Sequence, residues 1–256
     1  LSVWGSDIYD FPNKNIINKW LLKRVLKSAD KICSTSKAMG NIISQEYGIF
    51  KIEIIPFGVD SDVFIPAIKS VDNFIVGTIK SIEKHNGITC LLDAIKIIID
   101  DYKIKDIHFL IVGDGTQLEK MKIKVSELSL NKFVNFVGYI SPESVIEYYQ
   151  KMSIFIAVST RESFGVSILE AASCQIPAIT SDVGGLPEVN KHNETGIVIP
   201  SESPEALAES IKNLYNDTNL RIDMGKNARQ RVIQEFNWEI NFKKMISIYS
   251  QMINNK

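Results

Sequence analysis

The sequence predicts an α/β protein with parallel sheets, divided into two doubly wound, Rossmann-like domains of which the first is incomplete. Short apolar runs alternate with longer amphipathic stretches along nearly the whole chain, as in parallel α/β layers. The runs are rich in Ile and Val and lack polar alternation, as in strands covered on both faces. An irregular segment with Pro56, Gly58 and Pro66 separates a short first part from a second part large enough for a complete domain.

The predicted elements follow from these runs. The predicted strands are residues 31–34, 52–55, 74–78, 107–112, 133–137, 154–157, 178–180 and 197–199. The predicted helices are residues 15–29, 36–47, 87–101, 116–128, 142–152 and 164–174, followed after Pro200 by 204–216, 220–236 and 238–253. The first residues, Leu1 to Val3, also have the pattern of a strand, so we expect the true start of the chain to be missing.

Composition limits the functional classes. The net charge of −1 gives the molecule no general attraction to nucleic acid, so any anion site must be local. Three cysteines far apart in sequence form neither a disulfide framework nor a C-x-x-C metal site. The apolar runs are shorter than the roughly 20 residues of a membrane span, and no signal peptide is visible, which predicts a cytoplasmic protein.

Residues 161–170 carry the most chemical information. They follow a predicted strand and open a predicted helix, where ligands bind in an open α/β sheet. The backbone N–H groups of Gly165, Val166 and Ser167 would be the unpaired donors of the first helical turn, which suits a phosphate. Glu162 and Glu170 could accept hydrogen bonds from sugar hydroxyls. Alternatively, Glu162 caps the helix and Glu170 lies on a solvated face; spacing alone favours neither interpretation.

Several segments resemble one family in register over nearly the whole chain. E-S-F-G-V-S-I-L-E-A at residues 162–171 resembles the E-x(7)-E signature of the family 4 retaining glycosyltransferases, of glycosyltransferase group 1 type. Residues 176–189, I-P-A-I-T-S-D-V-G-G-L-P-E-V, resemble the next block of that family. Residues 55–60 resemble its interdomain segment, and V-G-D-G at 112–115 its second donor-side loop. The resemblance implies a GT-B fold.

The resemblance also implies site residues on the donor side. Glu170 would hold the ribose of a nucleotide, and Glu162 with the backbone of Phe164 and Gly165 would face the sugar. The amides of Val166 and Ser167 would bind the diphosphate. Other implied donor contacts are Gly113, Gly115, Tyr139 and Ile140, the last two near the base. For Tyr139, packing at the rim of the site is the alternative.

The phosphate-binding cations depart from the family pattern. Thr78 stands where the family usually has Arg, and Lys84 stands at the usual Lys spacing. Lys80 could replace the lost charge. A leaving diphosphate needs cations or amides, so we expect Lys80 or Lys84 to be essential, with Glu162, in catalysis. The alternative is an exposed loop lysine, which is favoured more for either one alone than for both together.

The acceptor side departs as well. Trp4-Gly5-Ser6-Asp7 resembles the H-G-S-D turn of the family, with Trp in place of His. Trp4 cannot accept a proton, but it could stack on a sugar ring, and Asp7 could make a polar contact. A packed Trp and a turn-capping Asp are the alternatives. Gln175 stands where the family has a left-handed Gly, at a cost of about 1 kcal/mol.

The resemblance implies transfer of a hexosyl group from a nucleoside-diphosphate sugar to a glycan or lipid-linked acceptor hydroxyl, with retention, in glycan or polysaccharide biosynthesis. It implies no metal and no further cofactor. Residues 1–70 would be the acceptor-side part with the linker, residues 71–236 the donor domain, and residues 237–256 a helix packing back toward the first domain. A nucleotide-sugar epimerase and a nucleotide-binding remnant without turnover are the alternatives.

The first predicted helix is basic. Its cations could touch the anionic inner face of a membrane, or they could form a solvated face, which the residue pattern alone favours. These cations are Lys14, Lys19, Lys23, Arg24 and Lys27.

Overall fold

The computed structural model describes residues 1–66 and 73–254. The predicted boundary between residues 70 and 71 therefore lies outside the described residues. Two parallel sheets, one of three strands and one of six, confirm the α/β fold class.

The first sheet consists of β1 (Ser2–Val3), β2 (Ile32–Ser34) and β3 (Ile52–Ile54), paired in that order. Three helices accompany it: α1 (Ser6–Tyr9), α2 (Ile16–Ser28) and α3 (Lys37–Tyr47). The side chains of Asn15 and Ser36 accept hydrogen bonds from backbone N–H groups of α2 and α3, which is why these helices begin where they do. Both starts agree with the predicted helices to within one residue.

The second sheet has six parallel strands in the order β6-β5-β4-β7-β8-β9. The strands are β4 (Phe74–Ile79), β5 (Ile107–Val112), β6 (Val134–Gly138), β7 (Ile154–Ala157), β8 (Ala178–Ser181) and β9 (Gly196–Ile199). Counted from β4 as the first, this is the order 3-2-1-4-5-6 of a doubly wound sheet. The order reverses between β4 and β7, so a crevice is expected beyond their carboxyl ends.

In the part of the chain that the structure describes, eight further helices follow, and those before the last one lie along the second sheet. They are α4 (Ile88–Asp100), α5 (Leu118–Glu127), α6 (Val145–Lys151), α7 (Val166–Ser173), α8 (Leu186–Val189), α9 (Pro204–Asn216), α10 (Thr218–Glu235) and α11 (Trp238–Asn254). One apolar cluster lies under α4, α5 and α9, and a second lies under α6, α7 and α10. The predicted helix 142–152 is divided into a 3-10 turn (Pro142–Ser144) and α6.

The two sheets are joined by specific contacts. The backbone of Val59 bonds to Phe236 at 2.9 Å and to Trp238 at 3.2 Å, which ties the interdomain segment to the start of α11. The Glu188 carboxylate accepts hydrogen bonds from the amides of Lys37 and Ala38, at 2.9 and 2.8 Å. A carboxylate of the second unit therefore caps helix α3 of the first.

Helix α11 touches the interdomain segment near its own start. Asn241 is buried and lies 3.4 Å from the Phe57 carbonyl. Farther along, α11 exposes Phe242, Ile246 and Tyr249. Contact with the interdomain segment is thus local to the first turns of the helix.

Candidate active site

A close ion pair lies beyond the carboxyl ends of β4 and β7, where the strand order reverses and a crevice is expected. The Nζ atom of Lys80, just after β4, lies 2.5 Å from Oε2 of Glu162, in the loop after β7. It also donates to Oγ of Ser159 at 2.7 Å. The side chains of Lys80 and Glu162 are only 11% and 21% exposed, so water screens their attraction weakly. The fold therefore places one cation beside the first glutamate of the motif.

The three predicted phosphate-side residues have different surroundings. Thr78 is buried within β4. Lys84 is exposed in a 3-10 turn (Lys84–Asn86) and lines a surface groove beside the start of α4. Of these three candidates, Lys80 is the one in contact with Glu162. The structure brings Lys80 and Glu162 together and leaves Lys84 at the surface.

Two glycines fix the Lys80 segment. Gly113 has φ 134°, and a Cβ there would overlap the carbonyl of Lys80. A Cβ on Gly115 would lie 2.6 Å from the Ile82 carbonyl oxygen. The Ile82 amide donates to the Asp114 carbonyl at 2.9 Å, which completes the contact between the loops. Close backbone approach therefore requires both glycines, and their predicted contact with a donor stays a prediction.

The second glutamate has a different environment. Glu170 is half-buried on α7, and its Oε2 lies 2.7 Å from the hydroxyl of Tyr149, which is fully buried on α6. Burial raises the pKa of Glu170, and the hydrogen bond from Tyr149 works in the opposite direction. The same hydroxyl lies 3.1 Å from the Ser167 carbonyl. Glu170 therefore does not lie on a solvated helix face, which was the alternative that its spacing in the sequence left open.

Sequence reasoning missed Tyr149. It lies 21 residues before Glu170, on another helix, so no local spacing connects the two. Burial raises the pKa of the Tyr149 hydroxyl well above its usual value, with the Glu170 charge as the next cause, so the group stays a proton donor. In the sequence, the only sign of this contact was a Tyr near the end of the predicted helix 142–152.

The start of α7 presents free donors. Gly165 precedes the helix with φ 107°, in the region that favours glycine. Phe164 is buried in the second apolar cluster. Among the described residues, the amides of Val166 and Ser167 make no hydrogen bond to the protein. These N–H groups at a helix N-terminus, next to Lys80 and Glu162 in the crevice wall, suit an anion.

The loop between β8 and α8 supports Glu162. Gly184 has φ 52°, and a Cβ there would overlap the carbonyl of Glu162. The Gly185 amide donates to that carbonyl at 3.3 Å. Gly184 and Gly185 therefore let the loop after β8 pack directly on the backbone of Glu162 in the loop after β7.

The turn after β1 meets the motif from the opposite side. The Asp7 carboxylate accepts hydrogen bonds from the amides of Trp4 (3.1 Å) and Gly5 (2.7 Å). Asp7 thus closes the turn, as in the turn-capping alternative given from the sequence. Both of its carboxylate oxygens accept hydrogen bonds from the backbone. A Cβ on Gly5 would lie 3.0 Å from Oγ of Ser163, so the turn is adjacent to the motif loop.

Trp4 is 63% exposed, and its ring contacts Phe57 edge-on at 5.7 Å. Phe57 in turn contacts Phe164 at 5.8 Å. Trp4 therefore packs edge-on against Phe57 while most of its side chain stays exposed. Directly after β6, Tyr139 is 77% exposed, whereas Ile140 packs against the second apolar cluster. Their predicted roles near an acceptor and a base stay predictions.

Two further findings concern residues 1–66 and 73–254. No group of three or more His, Cys, Asp or Glu side chains there is placed to hold a metal ion. Within the same residues, every helix is too short or too polar to traverse a bilayer.

Comparisons with known proteins identify the class. Two α/β units with parallel sheets are the architecture of the GT-B glycosyltransferases. The structure of sucrose-phosphate synthase from Thermosynechococcus elongatus matches with a TM-score of 0.87 and 27% identity, over 98% of this chain and 65% of that one. Anabaena Alr3699/HepE in complex with UDP and glucose has the same fold, with a TM-score of 0.87 and 19% identity over 98% of this chain and 71% of its own.

The family follows from the sequence matches. The model of the glycosyl transferases group 1 matches residues 62–231, and a glycosyl transferase 4-like model matches residues 1–36. The chain belongs to the glycosyl transferases group 1 family, which confirms the predicted resemblance. The capsular polysaccharide biosynthesis glycosyltransferase CapM of Staphylococcus aureus is 31% identical over 71% of this chain and 47% of its own length. The chain thus spans about half the length of this relative.

Proposed function

We propose that this chain carries the donor site of a retaining glycosyltransferase that moves a hexosyl group from a nucleoside-diphosphate sugar to an acceptor hydroxyl. The observation that carries the proposal is the pairing of Lys80 with Glu162 beside the free amides at the start of α7. A diphosphate on those amides would lie near Lys80, whose side chain is only 11% exposed. We assign residues 71–236 to the donor domain, residues 1–70 to the acceptor side and residues 237–256 to a connecting helix.

Glu170 is suited to a ribose. Tyr149 occupies Oε2, and Oε1 has no protein partner among the described residues. A carboxylate fixed on one side accepts hydrogen bonds from a diol on the other with little loss of entropy. One structural neighbour supports this class of donor, because HepE binds UDP and UDP-glucose in its crystal structures. UDP-sugars are therefore the first donors to test.

Leaving-group stabilisation would be the main source of catalysis. As the bond to the diphosphate breaks, negative charge grows on the leaving oxygen, and Lys80 with the Val166 and Ser167 amides would stabilise it. We propose that these groups suffice without a divalent metal. Glu162, released from part of its ion pair, would orient the sugar hydroxyls.

Retention is the outcome that the family resemblance implies, and neither of the two acceptor-side positions named from the sequence offers a general base. Inversion requires a general base that removes a proton from the acceptor on the face opposite the leaving group. Position 4 is Trp, and both oxygens of Asp7 accept hydrogen bonds within their own turn. The CapM likeness suggests a glycan or lipid-linked acceptor in polysaccharide biosynthesis.

Proton NMR of the chain with UDP-, GDP- and ADP-hexoses tests the proposal. We expect release of one nucleoside diphosphate, with an α-configured first product from an α-configured donor, in the presence of EDTA. A β-configured first product would contradict retention. A free epimer of the sugar without release of nucleoside diphosphate would indicate an epimerase instead, and tight nucleotide binding without any turnover would indicate a nucleotide-binding remnant.

A further inference from the structure

Helix α2 turns apolar side chains toward solvent. Its core side is Leu22 and Leu26, which are buried in the first unit. The opposite side exposes large apolar residues at 40–84% of their surface. They are Ile16, Ile17, Trp20, Leu21 and Val25. Their spacing places them on one helical face, where a surface helix normally carries polar residues.

The same face is strongly basic. Helix α2 contains Lys19, Lys23, Arg24 and Lys27 and no acidic residue. Lys19 is paired with Glu46 at 3.1 Å, whereas Lys23 and Lys27 have no ion-pair partner among the described residues. Since the whole chain has a net charge of −1, this positive charge is concentrated locally.

Aromatic and cationic groups meet in one surface hollow of about 390 Å³. It is lined by Trp20, Lys23, Arg24, Lys27 and Ser28. The Arg24 guanidinium lies over the Trp20 ring at 5.5 Å. Trp together with Lys and Arg is the combination found where helices lie in the headgroup region of a bilayer.

We propose that α2 docks on an anionic lipid surface, lying in the headgroup region with its exposed apolar residues inserted. The positive charge of α2 favours an anionic lipid surface as its partner. A second copy of the same face would bring like charges together, whereas anionic headgroups attract each Lys or Arg. The solvated face that the sequence favoured was inferred from the cations alone. The orientation of Ile17 and Trp20 relative to the core changes that interpretation.

Helix α11 provides the internal comparison. It also exposes apolar residues, including Phe242 and Tyr249, but its charges are mixed, with Glu239 3.7 Å from Lys243. If exposed apolar surface alone caused binding, both helices would contribute. We expect binding to depend on α2 and not on α11.

Vesicle flotation tests the proposal. We expect the chain to float with vesicles of phosphatidylcholine containing roughly one third phosphatidylglycerol, but not with phosphatidylcholine alone, and to be released at high salt. The double variants Ile17→Ser/Trp20→Ser and Lys23→Glu/Lys27→Glu should each bind at least tenfold more weakly. All four positions are exposed, and circular dichroism melting would verify that the variants fold.

Matched control variants make the same kinds of substitution outside α2. Lys122→Glu/Lys132→Glu changes exposed lysines of the second unit, and Phe242→Ser/Tyr249→Ser removes exposed apolar surface from α11. Both should bind vesicles as the unchanged chain does. Absent or equal binding to the two lipid compositions would overturn the proposal, as would α2 variants that bind normally. A dimer in analytical ultracentrifugation that Ile17→Ser/Trp20→Ser dissociates would assign the face to self-association instead.

Discussion

The two ends of the E-x(7)-E motif lie in contrasting surroundings. Glu162 is paired with a cation in the crevice, 2.5 Å from Lys80. Glu170 has no cation within ion-pair distance among the described residues, and burial raises its pKa while Tyr149 donates to it. The first carboxylate is thus paired with a cation that is suited to a leaving phosphate. The second is a positioned acceptor with one free oxygen, so two residues of one type are prepared for different tasks.

Replacing Lys80 should have the largest effect. Lys80→Ala removes the cation that would stabilise the leaving diphosphate and leaves Glu162 unpaired, so we expect kcat to fall by about 100-fold or more. The matched variant Lys84→Ala removes an exposed lysine of the neighbouring turn and should lower kcat much less. Rates of nucleoside diphosphate release measure both. Equal losses would mean that the ion pair does not mark the catalytic cation.

Replacing the two glutamates should separate binding from turnover. Glu170→Ala removes a charged acceptor of the proposed ribose hydroxyls, and loss of such bonds weakens binding by roughly 10- to 100-fold. Glu162→Gln should lower kcat while changing the affinity for the free nucleoside diphosphate little. Calorimetry and steady-state kinetics measure the two effects. A Glu162 variant that loses nucleotide affinity as strongly as the Glu170 variant would contradict the assignment.

Displacing the Glu162 backbone should have an intermediate effect. Gly184→Ala would place a Cβ against the Glu162 carbonyl, so the motif loop must shift, and we expect kcat to fall by roughly tenfold. Gly48→Ala is the control, because Gly48 also has positive φ (70°) but nothing lies within 4 Å of a Cβ there. It should reduce stability by about 1 kcal/mol through backbone strain alone, with unchanged kcat. Similar activity of both variants would disprove the loop contact.

Removing the Tyr149 hydroxyl should have the smallest effect and alter pH dependence. Burial raises the pKa of Glu170 above 4.5, so nucleotide affinity should fall on acidification at a higher pH than for an ordinary Glu. The Tyr149 bond lowers that pKa, so Tyr149→Phe should move the fall to still higher pH. We expect an affinity loss of only a few-fold at neutral pH. Calorimetric titrations across pH measure the midpoint; an unchanged midpoint would show that Tyr149 acts through packing alone.

Local signals in the sequence predicted much of the fold. The strands and helices begin and end within about two residues of their predicted limits in most cases, because Ile- and Val-rich runs and Asn15 and Ser36 caps are local features. Gln175 has φ 60°, the predicted left-handed conformation. The family resemblance was also readable, since its motifs are contiguous.

Contacts distant in sequence were not predictable in the same way. Lys80 was one of two candidate cations, and only the assembled sheet places it against Glu162, 82 residues away. The hydrogen bond from Tyr149 joins two helices with no common spacing. The exposed apolar side of α2 depends on which face packs inward. Each of these features is fixed by tertiary packing.

Calorimetric titration with UDP, GDP and ADP in the presence of EDTA tests the central claim most directly, with Glu170→Ala and Lys80→Ala measured alongside. We predict that one diphosphate binds the unchanged chain without metal and that each variant binds it at least tenfold more weakly. Binding that persists unchanged in both variants, or that requires added divalent metal, would contradict a donor site built from Glu170, Lys80 and the start of α7.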